Sequence, residues 1–252
     1  MSKTISASEL ASVGRAAIGA AEEQGAGHEE VARIALAWAA QTFGDSLAVL
    51  SSMGDEVLVH LASDVVPGIN VVFIDTGYHF AETIGTRDAF AATRPINLLN
   101  ITPLQSVAQQ DAEYGGALHD RDPNLCCSMR KVEPLNRALA GYRGWVSGMR
   151  REDAPTRSDI DVIEYDAKRD KVKLNPLAQW TQGDVEQYAR ANAVLLNPLR
   201  ELGYASIGCE PCTRPVADGE DPHRGVHALA VELPHQAVQV GVSGVLVAAV
   251  AE

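Results

Sequence analysis

The stretch Ser46-Leu47-Ala48-Val49-Leu50-Ser51-Ser52-Met53-Gly54-Asp55 decides the fold that the sequence predicts. Its apolar half is short and unbroken, which is typical of a buried parallel strand. Small residues follow, and a helical pattern then covers residues 56–62. A strand, a small-residue turn and a helix in this order direct backbone N–H groups toward an anion. An ordinary turn is the alternative, and the candidate phosphate contacts are Ser51, Ser52, Gly54 and Asp55.

Further apolar runs extend this unit into an α/β sheet. Residues 70–74, 94–100 and 144–148 predict three more strands, and residues 160–165 and 171–175 predict a hairpin. Two helices are expected between residues 8 and 43, and others at residues 102–111, 129–140 and 181–192. Asp75, Thr76 and Gly77 follow the second strand, where open parallel sheets bind their ligands.

The four cysteines lie in two short segments, Cys126-Cys127 and Cys209-Glu210-Pro211-Cys212. This grouping predicts four sulfur ligands to one metal centre. Adjacent cysteines suit a single zinc ion poorly, because zinc loops usually leave two to four residues between ligands. An iron-sulfur cluster offers each thiolate its own iron and is the favoured interpretation. A disulfide pair and inert buried thiols are the alternatives, and a disulfide framework fits poorly in a chain of this size.

A basic loop follows the strand at residues 144–148. It runs from Gly148 through Arg150 and Arg151 to Arg157, and arginines are well suited to hold an anion by paired hydrogen bonds. A solvated basic loop is the alternative. The chain of 252 residues has a formal net charge of -12, which argues against nucleic acid and anionic membranes as partners.

The N-terminal residues lack the pattern of a signal peptide, and no run of 18 apolar residues predicts a membrane span. We therefore expect a cytoplasmic protein. No repeat or linker divides the chain, so we predict one α/β domain over residues 1–222, followed by a tail at residues 223–252.

Several motifs carry a family resemblance. Residues 126–135 resemble the C-C-x-x-R-K-x-x-P-L motif of the assimilatory adenylyl-sulfate (APS) reductases, relatives of the 3'-phosphoadenylyl-sulfate (PAPS) reductases. Residues 206–215 resemble the second cysteine motif of that family, and residues 73–83 resemble its F-I-D-T-G-Y-x-F-x-E-T block. The resemblance extends from about residue 30 to about residue 222.

The resemblance implies an adenine nucleotide alpha-hydrolase-like fold, a Rossmann-like parallel sheet flanked by helices. It implies a 4Fe-4S cluster on Cys126, Cys127, Cys209 and Cys212, and a homo-oligomer. The implied reaction converts APS to sulfite and AMP with thioredoxin as electron donor. Lys131 would act electrostatically between cluster and sulfate, with a solvated lysine as the alternative. The implied substrate contacts are Ser51, Ser52, Gly54, Asp55, Asp75, Thr76, Gly77, Lys131, Gly148, Arg150 and Arg157.

The sequence departs from the family at its end. The reductases use a nucleophilic cysteine in an E-C-G-[IL]-H context, and no cysteine follows Cys212 here. Residues 223–252 match nothing in the family pattern, which suggests a changed reading frame or a replaced end. We therefore expect little thioredoxin-dependent turnover from this chain. A PAPS reductase, a catalytically inactive nucleotide-binding iron-sulfur protein and a zinc-bound relative are the alternatives.

Overall fold

A six-stranded sheet forms the centre of the computed structural model, which describes residues 5–216. Its strands are β1 Leu47–Leu50, β2 Ile69–Ile74, β3 Ile96–Ile101, β4 Gly144–Val146, β5 Ile163–Asp166 and β6 Lys171–Leu174. The order across the sheet is β3-β2-β1-β4-β6-β5. All neighbours are parallel except β5, which pairs antiparallel with β6. The predicted α/β class is confirmed, and the predicted hairpin makes the sheet mixed.

Nine α-helices accompany the sheet in the part of the chain that the structure describes. They are α1 Ala7–Glu23, α2 His28–Phe43, α3 Glu56–Val65, α4 Ala81–Thr93, α5 Val107–Tyr114, α6 Leu118–Arg121, α7 Pro123–Cys127, α8 Glu133–Leu139 and α9 Gln182–Ala191. The two predicted N-terminal helices are confirmed. Helix α9 begins as predicted, because the Thr181 hydroxyl caps the Asp184 amide and the Asp184 carboxylate binds the Thr181 amide.

Alternating side chains divide the core between the two faces of the sheet. Val49 of β1 and Phe73 of β2 pack with α1, α2, α3 and α9 in the larger apolar cluster. On the other face, Leu135 and Leu139 of α8 pack with Trp145 of β4. Both faces are covered, which explains why the parallel strands are short continuous apolar runs in the sequence.

The order of the strands places a topological switch point beside β1. The chain proceeds outward from β1 through β2 to β3 and then returns to place β4 on the opposite side of β1. Crevices at such points, outside the carboxyl ends of the strands, are where open α/β sheets bind ligands. The turn at residues 51–55 and the loop that starts at Ser147 both leave the sheet here.

Two predicted helix starts are wrong. The helix expected at residue 102 begins at Val107, because Ser106 and Gln109 form a reciprocal cap there. The helix expected at residue 129 begins at Pro123, so the cysteine pair lies within helical backbone. In that segment Asp122 supplies the cap by accepting a hydrogen bond from the Leu125 amide at 3.0 Å.

Within residues 5–216, no helix is both long enough and apolar enough to cross a membrane. The predicted tail and the predicted boundary at residue 222 both lie outside the described residues, so the division of the chain stays a prediction.

Candidate functional site

A change of helical pitch follows the cysteine pair. A π-helical turn, Ser128–Val132, joins α7 to α8, and the Glu133 amide donates to the carbonyl of Ser128, five residues earlier. Pro134 has no N–H group and its ring would clash with a carbonyl one turn earlier, which favours a local change from α-helical bonding. Single π turns occur frequently at functional sites.

The fold brings the two cysteine pairs together. Burial raises the pKa of Cys126 to about 11, and the charges of Cys127, Cys209 and Cys212 add to the rise. Burial also raises the pKa of Cys127 and of Cys212, and in both cases the Lys131 ammonium opposes the rise. Lys131 therefore lies within electrostatic range of one thiol from each pair, and its role between cluster and sulfate stays a prediction.

The four thiols fit a cluster by their chemistry, since they are soft donors gathered from two segments. All four are free cysteines, and Cys126 and Cys209 are buried. Across the described range 5–216, no group of three or more His, Cys, Asp or Glu side chains is arranged to hold a metal ion. The assignment of all four cysteines as ligands stays a prediction.

One loop contacts both cysteine segments. The Thr76 hydroxyl lies 3.3 Å from the Cys209 sulfur, and the Glu210 amide donates to the Tyr78 carbonyl at 2.7 Å. On the other side, Arg130 Nε donates to the Thr76 carbonyl. Gly77 has a φ of 76° and faces the Arg130 guanidinium, so a side chain there would be strained and crowded. Predicted residues Thr76 and Gly77 thus support the cysteine segments.

Arg130 is a buried cation held by neutral groups. It is 3% exposed, its Nη1 donates to Gln110 Oε1 at 3.0 Å, and its guanidinium lies 5.2 Å from the centre of the Tyr78 ring. These contacts fix the first turn after the cysteine pair against the loop that follows β2. Adjacent Lys131 belongs to no ion pair within the structurally described residues.

The turn after β1 has an unusual backbone. Met53 is completely buried and has a φ of 56°, a left-handed conformation that is rare for a side chain of this size. Its amide donates to the Ser51 hydroxyl at 3.0 Å, while Ser52 is exposed. Strained backbone of this kind is concentrated at ligand-binding and active sites. The left-handed backbone of the buried Met53 therefore distinguishes this turn from an ordinary connection.

Asp55 faces the segment that follows the carboxyl end of β4 at the switch point. Its carboxylate accepts a hydrogen bond from the Ser51 hydroxyl, and its Oδ2 lies 2.9 Å from where a side chain on Gly148 would begin. Although the residue keeps some solvent contact, burial of the carboxyl group raises the pKa of Asp55 to about 6. Predicted residues Ser51, Asp55 and Gly148 therefore lie together, and a side chain at position 148 would displace the Asp55 carboxylate.

Sequence reasoning missed the residues that hold this turn from behind. Asn197 Nδ2 donates to the Met53 carbonyl at 3.2 Å and to the Thr83 hydroxyl at 3.1 Å. Arg200 donates to the Gly54 carbonyl. These contacts join segments far apart in the chain, and no local pattern at residues 197–200 predicts them.

The basic loop from Gly148 to Arg157, called here the arginine loop, contains a carboxylate that pairs with two of its arginines. Asp153 Oδ1 lies 2.9 Å from Arg150 Nη2, and its Oδ2 lies 3.3 Å from Arg157 Nη1. Arg150 Nη1 is buried and has no hydrogen-bond partner within the residues described. Arg151 instead donates through Nε to the Ile160 carbonyl at 2.9 Å. The two arginines predicted to contact substrate are therefore the two that share Asp153.

Asp75 and His79 serve the loop after β2. The Asp75 carboxylate accepts from the Gly77 amide at 3.1 Å and lies 3.4 Å from Arg87 Nη1. His79 Nε2 lies 2.9 Å from the Ile74 carbonyl, and burial lowers the pKa of this imidazole. The neutral ring donates through Nε2 to that carbonyl. Arg87 is thus a structural partner of Asp75, and the predicted contact between Asp75 and substrate stays a prediction.

A mixed α/β sheet that gathers a serine turn, an arginine loop and two cysteine pairs at the carboxyl ends of its strands defines the class. This is an adenine nucleotide alpha-hydrolase-like protein. The chain belongs to the phosphoadenosine phosphosulfate reductase family, because the domain of that description matches residues 46–215.

Named relatives agree with this assignment. The chain is 57% identical over 190 residues to an adenosine 5'-phosphosulfate reductase of Streptomyces coelicolor, a match that covers 75% of this chain and 80% of the relative. It is 48% identical over 220 residues to the reductase of that name from Rhodococcus opacus, with 83% and 87% of the two chains covered. The names of these relatives describe an oxidoreductase that acts on sulfur.

Solved structures support the fold. A phosphoadenylyl-sulfate reductase from Candida auris, solved as a phosphate complex, aligns with a TM-score of 0.66 and 26% identity over 85% of this chain and all of that one. A Candida glabrata FMN adenylyltransferase aligns with a TM-score of 0.54 over 84% of this chain and 74% of that one. Its identity is 14%, so this second similarity shows the fold alone.

Proposed function

We propose that the protein reduces APS to sulfite and AMP, with thioredoxin as the thiol donor and a 4Fe-4S cluster bound by Cys126, Cys127, Cys209 and Cys212. The names of the curated relatives support APS as the substrate. The observation that carries the proposal is the meeting of both cysteine segments at Thr76, whose hydroxyl lies 3.3 Å from the Cys209 sulfur and whose carbonyl accepts a hydrogen bond from Arg130.

The residues at the switch point would bind the nucleotide. The turn at residues 51–55 and the loop from Gly148 to Arg157 would enclose it, with Arg150 and Arg157 as donors to the phosphosulfate. The buried Nη1 of Arg150 lies 3.8 Å from Glu152 Oε2 but has no hydrogen-bond partner in the described part of the chain, so its N–H group can donate to a ligand. A substrate anion bound there would satisfy this donor.

Lys131 would hold the sulfate end of the substrate beside the cluster. Its ammonium supplies positive charge in a partly buried site, where charge acts more strongly than in water. When bound, the cluster would adjust the electrostatic potential at the sulfate. In this proposal its role is electrostatic, and the electrons come from thiols.

The reaction needs a thiolate that attacks the sulfur atom of the sulfate. The S–O bond to AMP breaks as an S–S bond forms, and AMP leaves with the electron pair. A dithiol such as thioredoxin then releases sulfite and is itself oxidised to a disulfide. If all four cysteines of the sequence bind the cluster, none is left for this attack. We therefore propose that the chain binds nucleotide and cluster but turns over slowly.

An anaerobic assay of the purified chain tests the proposal. We would measure sulfite release from APS with reduced thioredoxin, together with visible absorbance and the affinity for AMP. A brown protein that binds AMP and releases little sulfite supports both parts. Rapid release would overturn the argument from the absent nucleophile, and a preference for the 3'-phosphorylated substrate would favour a PAPS reductase. A colourless, zinc-containing protein would overturn the cluster.

A further inference from the structure

A buried carboxylate lies directly behind the turn at residues 51–55, at the first position of α3. Glu56 is 1% exposed, and its Oε1 accepts a hydrogen bond from the backbone N–H group of Asn197 at 2.8 Å. An ionised carboxylate is costly at this depth unless a cation pairs with it. The cation is Arg200, whose Nη2 lies 3.0 Å from Glu56 Oε2.

Arg200 also holds the turn itself. Its Nη2 donates to the carbonyl of Gly54, and its Nε lies 3.4 Å and 3.3 Å from the two oxygens of Glu56. One guanidinium therefore bridges the backbone of the turn and the first side chain of the helix that follows. The bidentate geometry is one that lysine could not reproduce.

The balance of charge at this turn depends on the same arginine. Asp55 and Glu56 place two carboxyl groups at a turn where a phosphate would bind, and like charges repel it. The Glu56 carboxylate adds to the raised pKa of Asp55, and Arg200 opposes that rise. Without Arg200, an incoming anion would meet a buried carboxylate with no cation beside it.

The pair also joins the turn to the second cysteine segment. Arg200 lies in a 3-10 helix, Pro198–Leu202, that leads toward Cys209. Further along this segment, Ile207 Cβ is 3.5 Å from the position of a side chain on Gly54. The contact between Glu56 and Arg200 spans 144 positions in the sequence and joins the start of α3 to the segment that leads to Cys209.

We propose that Arg200 is a positioning residue for the nucleotide phosphate, because it neutralises Glu56 and holds the Gly54 carbonyl so that the turn accepts an anion. This inference rests on the nucleotide site of the proposed function and adds a pair of residues to it. Arg200 touches no reacting atom in this scheme and acts through the turn.

A double-mutant cycle tests the inference, with AMP as the probe and the full chain as the protein. The variants are Arg200→Met, Glu56→Gln and the two combined. The matched control is Arg190→Met, because Arg190 forms an exposed ion pair with Glu186 on α9. For every variant we would measure AMP affinity by calorimetry and the melting temperature.

We expect Arg200→Met to weaken AMP binding at least tenfold, and the combined variant to recover to within about threefold of the unaltered chain. The control should bind AMP normally. A lower melting temperature in Arg200→Met with unchanged AMP affinity would overturn the inference, since it describes a purely structural pair. Equal losses in Arg200→Met and in the combined variant would also overturn it, because neutralisation would then have no role.

Failure of the proposed function gives a different result. If the unaltered chain binds no AMP, the nucleotide site is wrong, and hydrogen exchange at the amides of residues 53–57 then decides the role of Arg200. Faster exchange there in Arg200→Met, with no change in the control, supports the part of the inference in which Arg200 holds the turn, while the part that concerns the phosphate fails with the nucleotide site. An unchanged rate overturns it.

Discussion

The hydroxyl of Thr76 lies 3.3 Å from the sulfur of Cys209, across 133 positions of the sequence. The contact joins the carboxyl end of β2 to the second cysteine segment. Groups that hydrogen-bond to a ligand of a metal centre orient that ligand and adjust the centre's stability.

Thr76→Val tests this contact. Valine keeps the shape of threonine but removes the hydroxyl, so we expect the proposed cluster to bleach about tenfold faster in air. Visible absorbance over time measures the loss. Thr86→Val is the control, because the Thr86 hydroxyl bonds only to a carbonyl of its own helix at 2.8 Å in the contacts observed. Equal bleaching rates in the two variants would contradict the prediction.

Arg130→Met tests the buried cation beneath the cysteine pair. Its hydrogen bonds to the Thr76 carbonyl and to Gln110 are charge-assisted, so we expect a loss of about 2 to 3 kcal/mol in the free energy of unfolding. Urea unfolding measures it. Arg33→Met, which breaks an exposed ion pair with Glu29, should cost less than about 1 kcal/mol. A similar cost for both would contradict the prediction, because the buried hydrogen bonds of Arg130 would then contribute no more than an exposed ion pair.

Asp55→Asn tests the raised pKa at the turn. In the folded chain burial raises the pKa of Asp55 to about 6, above the usual aspartate value of 3.8, so the folded state binds this proton more tightly than the unfolded state. The stability that it contributes is complete below pH 3.8 and is lost as pH rises through 6. We therefore expect the variant to gain stability relative to the unaltered chain between pH 4 and pH 7.

Thermal unfolding of both proteins across this range measures the difference, and other carboxyl groups cancel in the comparison. A constant difference between the two chains would mean that the carboxyl group of Asp55 is solvated.

Arg150→Met and Arg151→Met compare neighbouring arginines with different partners. Arg150 shares Asp153 with Arg157 and has a buried Nη1 without a hydrogen-bond partner in the described chain, so its loss should weaken APS affinity tenfold or more. Arg151 donates to the Ile160 carbonyl, so its loss should lower the melting temperature and leave affinity within about threefold. Competition binding and thermal unfolding measure the two effects. Reversed outcomes would exchange the roles of the two residues.

Local patterns predicted most of the fold. The buried strands are recognisable in the sequence as apolar runs. The start of α9 is predicted by Thr181, because a cap depends on residues only three positions apart. The helix starts at Val107 and Pro123 were missed, because the capping residues Ser106 and Asp122 were not recognised in the sequence. The start expected at residue 102 lies only four positions before Ser106. Local rules decide poorly when two capping signals stand close together.

The sequence indicated the candidate site residues better than the contacts between them. The cysteines, Lys131 and the arginine loop form motifs that can be read in sequence, and the fold brings both cysteine pairs within range of Lys131. The pairing of Glu56 with Arg200 depends on the tertiary fold. The same holds for Asp153, whose sharing by two arginines requires the actual path of the loop.

The loop after β2 links the two cysteine segments through the chain's own side chains. Arg130 donates to the Thr76 carbonyl, and the Thr76 hydroxyl lies beside the Cys209 sulfur, so one residue contacts both segments. Closing a long loop is entropically unfavourable for a flexible chain, and these two contacts offset part of that cost. Thr76 is therefore a tertiary joint between two segments whose cysteines are more than 80 positions apart in the sequence.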